Sequence, residues 1–172
     1  MTRISFLVVV PVLLMLSGCA HDDFYIPDAS RPFEPIAEFS STHSVTLQNA
    51  QLSTEQVNVN DDVHLYANLN AWTGVAIAIA SRELKQRGMS IVGRAPKSIT
   101  MSIESAKMDI GWTTIETQIV MNVTTSDGYS ATYVGKNSSG MAAVVHRQID
   151  GAVMRVVHEM LMDPHIVNFL VK

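Results

Sequence analysis

The chain has a single cysteine, Cys19, so it can form no internal disulfide and has no second thiolate with which to build a metal site. It is also poor in charge. Twelve Lys and Arg stand against 16 Asp and Glu, a formal net charge of −4, and the basic residues form no block. Phosphate contacts supply most of the affinity of nucleic-acid binding, so this balance excludes nucleic acid as an expected partner. There is no Gly-x-Ser-x-Gly elbow and no phosphate-binding loop, and none of the six histidines has a partner at the i,i+4 spacing of a helical metal pair. The apolar run Ile4 to Leu16 contains Pro11 and falls short of the roughly 20 residues a spanning helix needs. With 172 residues, 47% of them hydrophobic, the chain can bury one good core but not two.

The apolar run, preceded by Arg3 and followed by the small residues Ser17 and Gly18, has the form of a secretory signal over residues 1–18. Leu16-Ser17-Gly18-Cys19 resembles the bacterial lipobox. The resemblance implies cleavage between Gly18 and Cys19, with a diacylglycerol on the Cys19 sulfur and a further acyl chain on its amino group. Each buried CH₂ contributes about 0.8 kcal/mol and two chains already anchor stably, so three moor the protein to its bilayer. Ala20 follows the cysteine in place of the Asp that, in the sorting pattern this resembles, retains a lipoprotein in the inner membrane. An outer-membrane address with the domain in the periplasm is expected.

Residues 19–43 read as a tether. Pro27, Pro32 and Pro35 lie among Asp, Ser and Glu with no helical or alternating period, and an extended chain of that kind rises about 3.1 Å per residue, or roughly 60 Å in all. Phe24, Tyr25, Ile26, Phe33, Ile36 and Phe39 are more apolar than a solvated spacer requires, so either part of the segment lies on the domain or it docks a partner.

A single domain is expected over residues 44–172. Alternation predicts short strands at residues 44–49 and 57–60, and Asn60-Asp61-Asp62 predicts a turn. Leu69 to Arg87 has helical spacing of Trp72, Val75, Ala76, Ile79 and Leu84, with Asn70 as the expected cap and Gly88 as the left-handed stop. Residues 98–108, 112–125 and 129–137 read as an antiparallel meander. A three-residue loop Ser126-Asp127-Gly128 sets Thr125 opposite Tyr129 and Met121 opposite Tyr133, which keeps both apolar sets on one side. A like loop at Asp109-Ile110-Gly111 sets Met108 opposite Trp112, Ile103 opposite Thr117 and Glu104 opposite Glu116. The inner face then holds Ile99, Met101, Ile103, Ile115, Ile119, Met121, Val123, Ala131 and Tyr133, and the outer face is polar except for Met108 and Trp112, beneath a tip carrying Ile110. An exposed aromatic with such neighbours is the kind of anchor interfaces use, which makes Met108, Ile110 and Trp112 the expected partner contact. A second helix is expected over residues 139–162, capped by Ser138 or Ser139, carrying Ala142, Val145, Ile149, Val153 and Val156 inward, and stopped by Asp163-Pro164. The expected fold class is α+β: a two-layer sandwich with an antiparallel three-stranded meander, additional short strands, and two long helices packed on one face.

The lipobox, the helix ending in Arg87-Gly88, the meander, the second helix and the Asp163 to Phe169 ending together resemble the YajG-like family of small Gram-negative lipoproteins, and more distantly the LptE-like and transport-auxiliary lipoproteins. The resemblance implies a non-enzymatic, membrane-tethered domain that acts as an interaction or assembly component of the cell envelope, with Cys19 as the position that transfers. No cofactor beyond the acyl groups, no metal and no small-molecule substrate is expected, and an envelope protein is the expected partner besides the membrane. The alternative is a carrier for lipid or lipopolysaccharide, since eight methionines from Met89 onward could line an apolar groove between sheet and helices. His158, Asp163 and His165 could approach one another at a helix end, and Glu104, Asp109 and Glu116 could mimic an acid and base pair, but an open sheet face makes the latter ordinary surface charge.

Overall fold

The computed structural model describes residues 23–36, 38–140 and 144–172. The signal segment, Gly18, Cys19 and Ala142 lie outside the described residues. The chain forms β1 (Asp23–Phe24), β2 (Ser44–Asn49), β3 (Gln56–Asn60), β4 (Leu65–Asn68), α1 (Leu69–Gln86), β5 (Ser90–Ile91), β6 (Lys97–Ile110), β7 (Thr114–Thr125), β8 (Ser130–Gly140), α2 (Val145–Met162) and α3 (Pro164–Val171). Five strands make the main sheet in the order β5-β2-β6-β7-β8, with β2 parallel to both its neighbours and the other pairs antiparallel. A smaller sheet has the order β1-β4-β3. Both long helices lie on one face of the main sheet, α1 against β2 and β6, α2 against β7 and β8. This is the α+β sandwich the sequence predicts.

The β7–β8 register is the expected one. Val123 faces Ala131, Met121 faces Tyr133, and Gly128 closes the loop at φ +93°. The β6–β7 register is not. Gly111 N–H donates to the Thr114 carbonyl at 2.8 Å, so the turn falls on Trp112 and Thr113, and Ile110 faces Ile115. A bulge between Ile103 and Ser105 then reverses the side-chain parity of β6. Ile99, Met101 and Ile103 point inward before it, Ala106 and Met108 after it. Burying a methionine contributes roughly 1.5–3 kcal/mol, which outweighs the ladder bonds one bulge disrupts. Glu104 sits in the bulge and does not face Glu116, which pairs with Asp109 instead.

Two capping assignments change for the same reason, that backbone pairing decides where elements end. Asn68, not Asn70, caps α1 by accepting from Ala71 N–H at 2.9 Å, while Asn70 lies inside the first turn and its side chain donates to the Gln51 carbonyl. Ser138 and Ser139 do not cap α2. They continue β8, opposite Glu116 and Ile115, because β7 would otherwise leave its first residues unpaired. The helix starts at Val145, and its cap residue, Val144, makes no side-chain cap bond. Asp163-Pro164 ends α2 as expected, and Asp163 then caps α3 by accepting from His165 N–H at 2.7 Å.

The segment read as a spacer is laid on the domain. After β1 pairs with β4, Tyr25 lies between α1 and α2, Glu34 meets Arg155 of α2 at 2.6 Å, Phe39 lies beneath the Arg87 guanidinium at the end of α1, and Ser41 bonds to Leu170 of α3. Residues 23–36 and 38–41 thus form a strap running from β4 past the two long helices to α3. Ile36 is a core residue and Tyr25, Phe33 and Phe39 pack partly buried against the core, whereas Ile26 is exposed.

Candidate functional site

The sheet has two unlike ends, and the start of the strap marks one of them. Asp23 N–H donates to the His64 carbonyl at 2.9 Å, placing the strap's first residue at the β3–β4 turn, and its carboxylate meets His146 Nε2 in the first turn of α2 at 2.6 Å. The same β3–β4 turn is tied to β6 by Asn60, whose side-chain N–H donates to the Met108 carbonyl at 2.8 Å. From Met108 the strand runs on to the β6–β7 tip, where Thr114 faces Gly140 at the end of β8. Chain entry, the β3–β4 turn, the β6–β7 tip and the beginning of α2 therefore share one end of the molecule. That end shows exposed apolar side chains: Phe24, Val63, Val144 and, at 97% exposure, Trp112.

The strap is held there by a buried carboxylate. Asp150 of α2 is wholly inaccessible, and its Oδ1 accepts from the Tyr25 hydroxyl at 2.7 Å and from Asp28 N–H at 2.8 Å. Arg31 Nε lies 2.8 Å from Oδ2 and supplies the opposite charge. Tyr25 is fixed from two more sides: its ring stacks on His146 with centroids 4.0 Å apart, and its carbonyl accepts from Trp72 Nε1–H at 2.8 Å. The residues of this clamp come from the strap, α1 and α2, so it forms only when all three are assembled. Sequence reasoning missed Asp150. The available signal was an Asp in register with the inward stripe of α2, one residue after Ile149.

A second carboxylate organises the opposite end. Asp163 accepts from the Tyr129 hydroxyl at 2.7 Å and the Tyr133 hydroxyl at 2.6 Å. Partial burial works against its ionisation, but these two hydroxyls and His165 N–H hold its carboxyl below the ordinary 3.8. The phenols move the other way. Burial, then the Asp163 bond, pushes Tyr133 far above the ordinary 10.0; the same bond, then burial, raises Tyr129; burial and then Asp150 raise Tyr25. The stability contributed by the raised phenols is complete below pH 10 and is lost as pH rises above it, whereas that from Asp163 is present above pH 3.8 and lost on acidification. In a Tyr66→Phe protein, whose three remaining tyrosines are these, phenolate absorbance at alkaline pH should therefore appear together with loss of helical circular dichroism. Phenolate forming near pH 10 in a fully folded protein would contradict the three bonds.

The other residues singled out from sequence are dispersed. Met108 is 2% exposed and belongs to the core, Ile110 is half-buried, and Trp112 alone stands out, so the three do not make the exposed cluster expected of them. The cause is the bulge and the two-residue tip, which turn Met108 inward and place Trp112 beyond the last strand pair. Asp109 and Glu116 lie in the open, neutralised by Lys107 and Lys136 at 2.9 and 3.5 Å. His158 lies against Pro35 and Phe33 of the strap, while His165 stacks on Tyr129. Among the described residues, no group of three or more His, Cys, Asp or Glu is arranged to hold a metal ion. Of the methionines that the alternative reading would place along an apolar groove, Met101, Met121 and Met160 are fully buried between the layers, and the strap lies over the two helices. Among the described residues the clefts include an open surface hollow between Glu38, Ser40 and Arg87 and a more enclosed one where Pro32 and Glu34 of the strap meet Met154, Arg155 and His158 of α2 and Asn137 of β8.

No family model matches the chain, and no curated protein matches it. Among solved structures, a Xanthomonas campestris protein of the DUF330 family is similar at 12% identity and a TM-score of 0.49, over 84% of this chain and 92% of that one. A minor lipoprotein from Acinetobacter baumannii is similar at 12% identity and a TM-score of 0.32, over 79% of this chain and 92% of that one.

Proposed function

We propose that the chain is a lipoprotein of the Gram-negative envelope, anchored through acyl groups on Cys19, whose α+β domain works by presenting surfaces to other envelope components and not by catalysis. The observation that carries this reading is the Leu16-Ser17-Gly18-Cys19 motif standing only four positions ahead of Asp23, where the chain becomes part of the fold. The YajG-like resemblance and the absence of Asp after Cys19 support the same reading and an outer-membrane address. A surface role is further supported by where the perturbed groups lie. Tyr25, Tyr129, Tyr133 and Asp163 are each consumed in bonds that hold strap, sheet and helices together, and none of them lines the described clefts.

The mass of the mature protein tests the reading. It should exceed that of the polypeptide beginning at Cys19 by a diacylglycerol and one further acyl chain, and the protein should sediment with outer membranes on a density gradient. Cys19→Ser should abolish the added mass and release the protein from that fraction. A mature wild-type polypeptide without acyl mass would sink the proposal.

A further inference from the structure

Under the anchored reading, the linkage between Cys19 and the fold is short. Residues 20–22 alone separate the cysteine from Asp23, so the two Cα atoms can be at most about 14 Å apart. Asp23 is not itself free to swing. It is hydrogen-bonded to His64, paired with His146 and followed by the Asp150 clamp. An acylated Cys19 therefore brings to the bilayer whatever part of the domain surrounds Asp23, and that part is the end carrying Trp112, Val63, Phe24 and Val144.

We propose that this end of the domain is a membrane-contact surface, with Trp112 at the β6–β7 tip seated in the headgroup region of the bilayer that holds the anchor. The inference rests on acylation at Cys19 and adds a fixed orientation to it. Tryptophan is the residue that favours the membrane interface, where its ring leaves water and its N–H keeps a polar partner. A lone exposed tryptophan binds a bilayer weakly, but a tether of this length converts its insertion into an intramolecular event at high effective concentration. Asp61 and Asp62 lie in the exposed β3–β4 turn at this end and Lys107 is paired with Asp109, so attraction to anionic lipid is not the source of the contact, and zwitterionic lipid suffices. The strands of the meander then rise from the bilayer. Fourteen residues of β6, at about 3.3 Å each, carry the Asp163 end roughly 45 Å from the surface.

The test uses the full acylated protein reconstituted in phosphatidylcholine vesicles. Trp72 is fully buried and serves as a background that neither quencher reaches; Trp112→Phe reads that background alone. Lipid brominated near the top of its acyl chains should cut the Trp112 component of the emission at least about twofold, and aqueous iodide should quench it less than in the same protein held in detergent. Neither change should need anionic lipid. An acylated, vesicle-bound protein whose Trp112 stays fully open to iodide and untouched by brominated lipid overturns the orientation while leaving the anchor standing; Trp112 would then face water, a partner or a second copy. A protein that carries no acyl mass and does not bind vesicles overturns both, and the mass spectrum tells the two failures apart.

Discussion

Gly135→Ala should cost the domain about 3 kcal/mol or more and lower its thermal midpoint by roughly 10 °C, although it adds a single methyl group. Gly135 lies on β8 opposite Ile119, directly under α2. A Cβ there would press on the Ala152 carbonyl oxygen and stand 2.5 Å from the Val156 amide nitrogen and 2.7 Å from Val156 Cβ. Two of those three atoms are backbone of a helix interior, so they cannot rotate away, and the helix must lift from the sheet. Lifting it opens a seam lined by Val153, Val156 and Met160, all fully buried. Gly151→Ala is the matched control. The atoms nearest its Cβ would all belong to the Asn137 side-chain amide, which can swing off at the loss of its bonds to the Gln148 and Arg147 carbonyls, about 1 kcal/mol. Alanine regains a similar amount in helix propensity. Thermal melts of the two variants should therefore diverge sharply, and a Gly135→Ala protein melting within a degree or two of wild type would mean that α2 is not seated as closely as described.

That close seating was not legible in the sequence, because the reason for a glycine in a strand lies on the helix that crosses it. What was legible had local causes. The β7–β8 register followed from Gly128 and from the demand that Met121, Val123, Ala131 and Tyr133 share a side, and α1 followed from its spacing and from Gly88. The β6–β7 register failed where a local rule met a competing one. The apolar positions of β6 are odd-numbered through Ile103 and even-numbered from Ala106 through Met108 to Ile110. That change of parity is the mark of a bulge, and treating the strand as one unbroken alternation forced Met108 outward beside Trp112. The end of β8 failed because Ser138 and Ser139 suit a helix cap, while the unpaired start of β7 claims them for the sheet. The strap was half legible: its aromatic residues showed that it was no plain spacer, but nothing in residues 23–36 reveals that their counterpart is a carboxylate more than a hundred positions away.

Asp150→Ala should open that strap. The buried carboxylate answers three groups at once, the Tyr25 hydroxyl, the Asp28 N–H and the Arg31 guanidinium, and its removal leaves the first two without their acceptor. Breaking a fully buried ion pair costs about 3–5 kcal/mol, but Arg31 is about one-third exposed and can turn to water, so about 2–3 kcal/mol is the expected loss. Asp150→Asn keeps an acceptor oxygen for Tyr25 and Asp28 and forfeits only the charge opposite Arg31, so it should lose about half as much. Hydrogen exchange locates the effect. Protection should fall at Asp28 and its neighbours in the alanine variant, less so in the asparagine variant, while the amides of β7 stay protected in both. Uniform loss of protection through the sheet would instead make Asp150 a determinant of the whole fold. The functional consequence follows from chain length. With the clamp closed, the path from Cys19 to the fold is four residues; without it the entry is held by the two-residue β1 pairing and the Asp23 bonds to His64 and His146, and whenever these open together with residues 23–36 the path becomes about seventeen and the reach grows from about 14 Å to more than 50 Å. The acylated Asp150→Ala protein should therefore remain on vesicles while the quenching of Trp112 by brominated lipid declines towards the Trp112→Phe background, separating the attachment of the domain from its orientation.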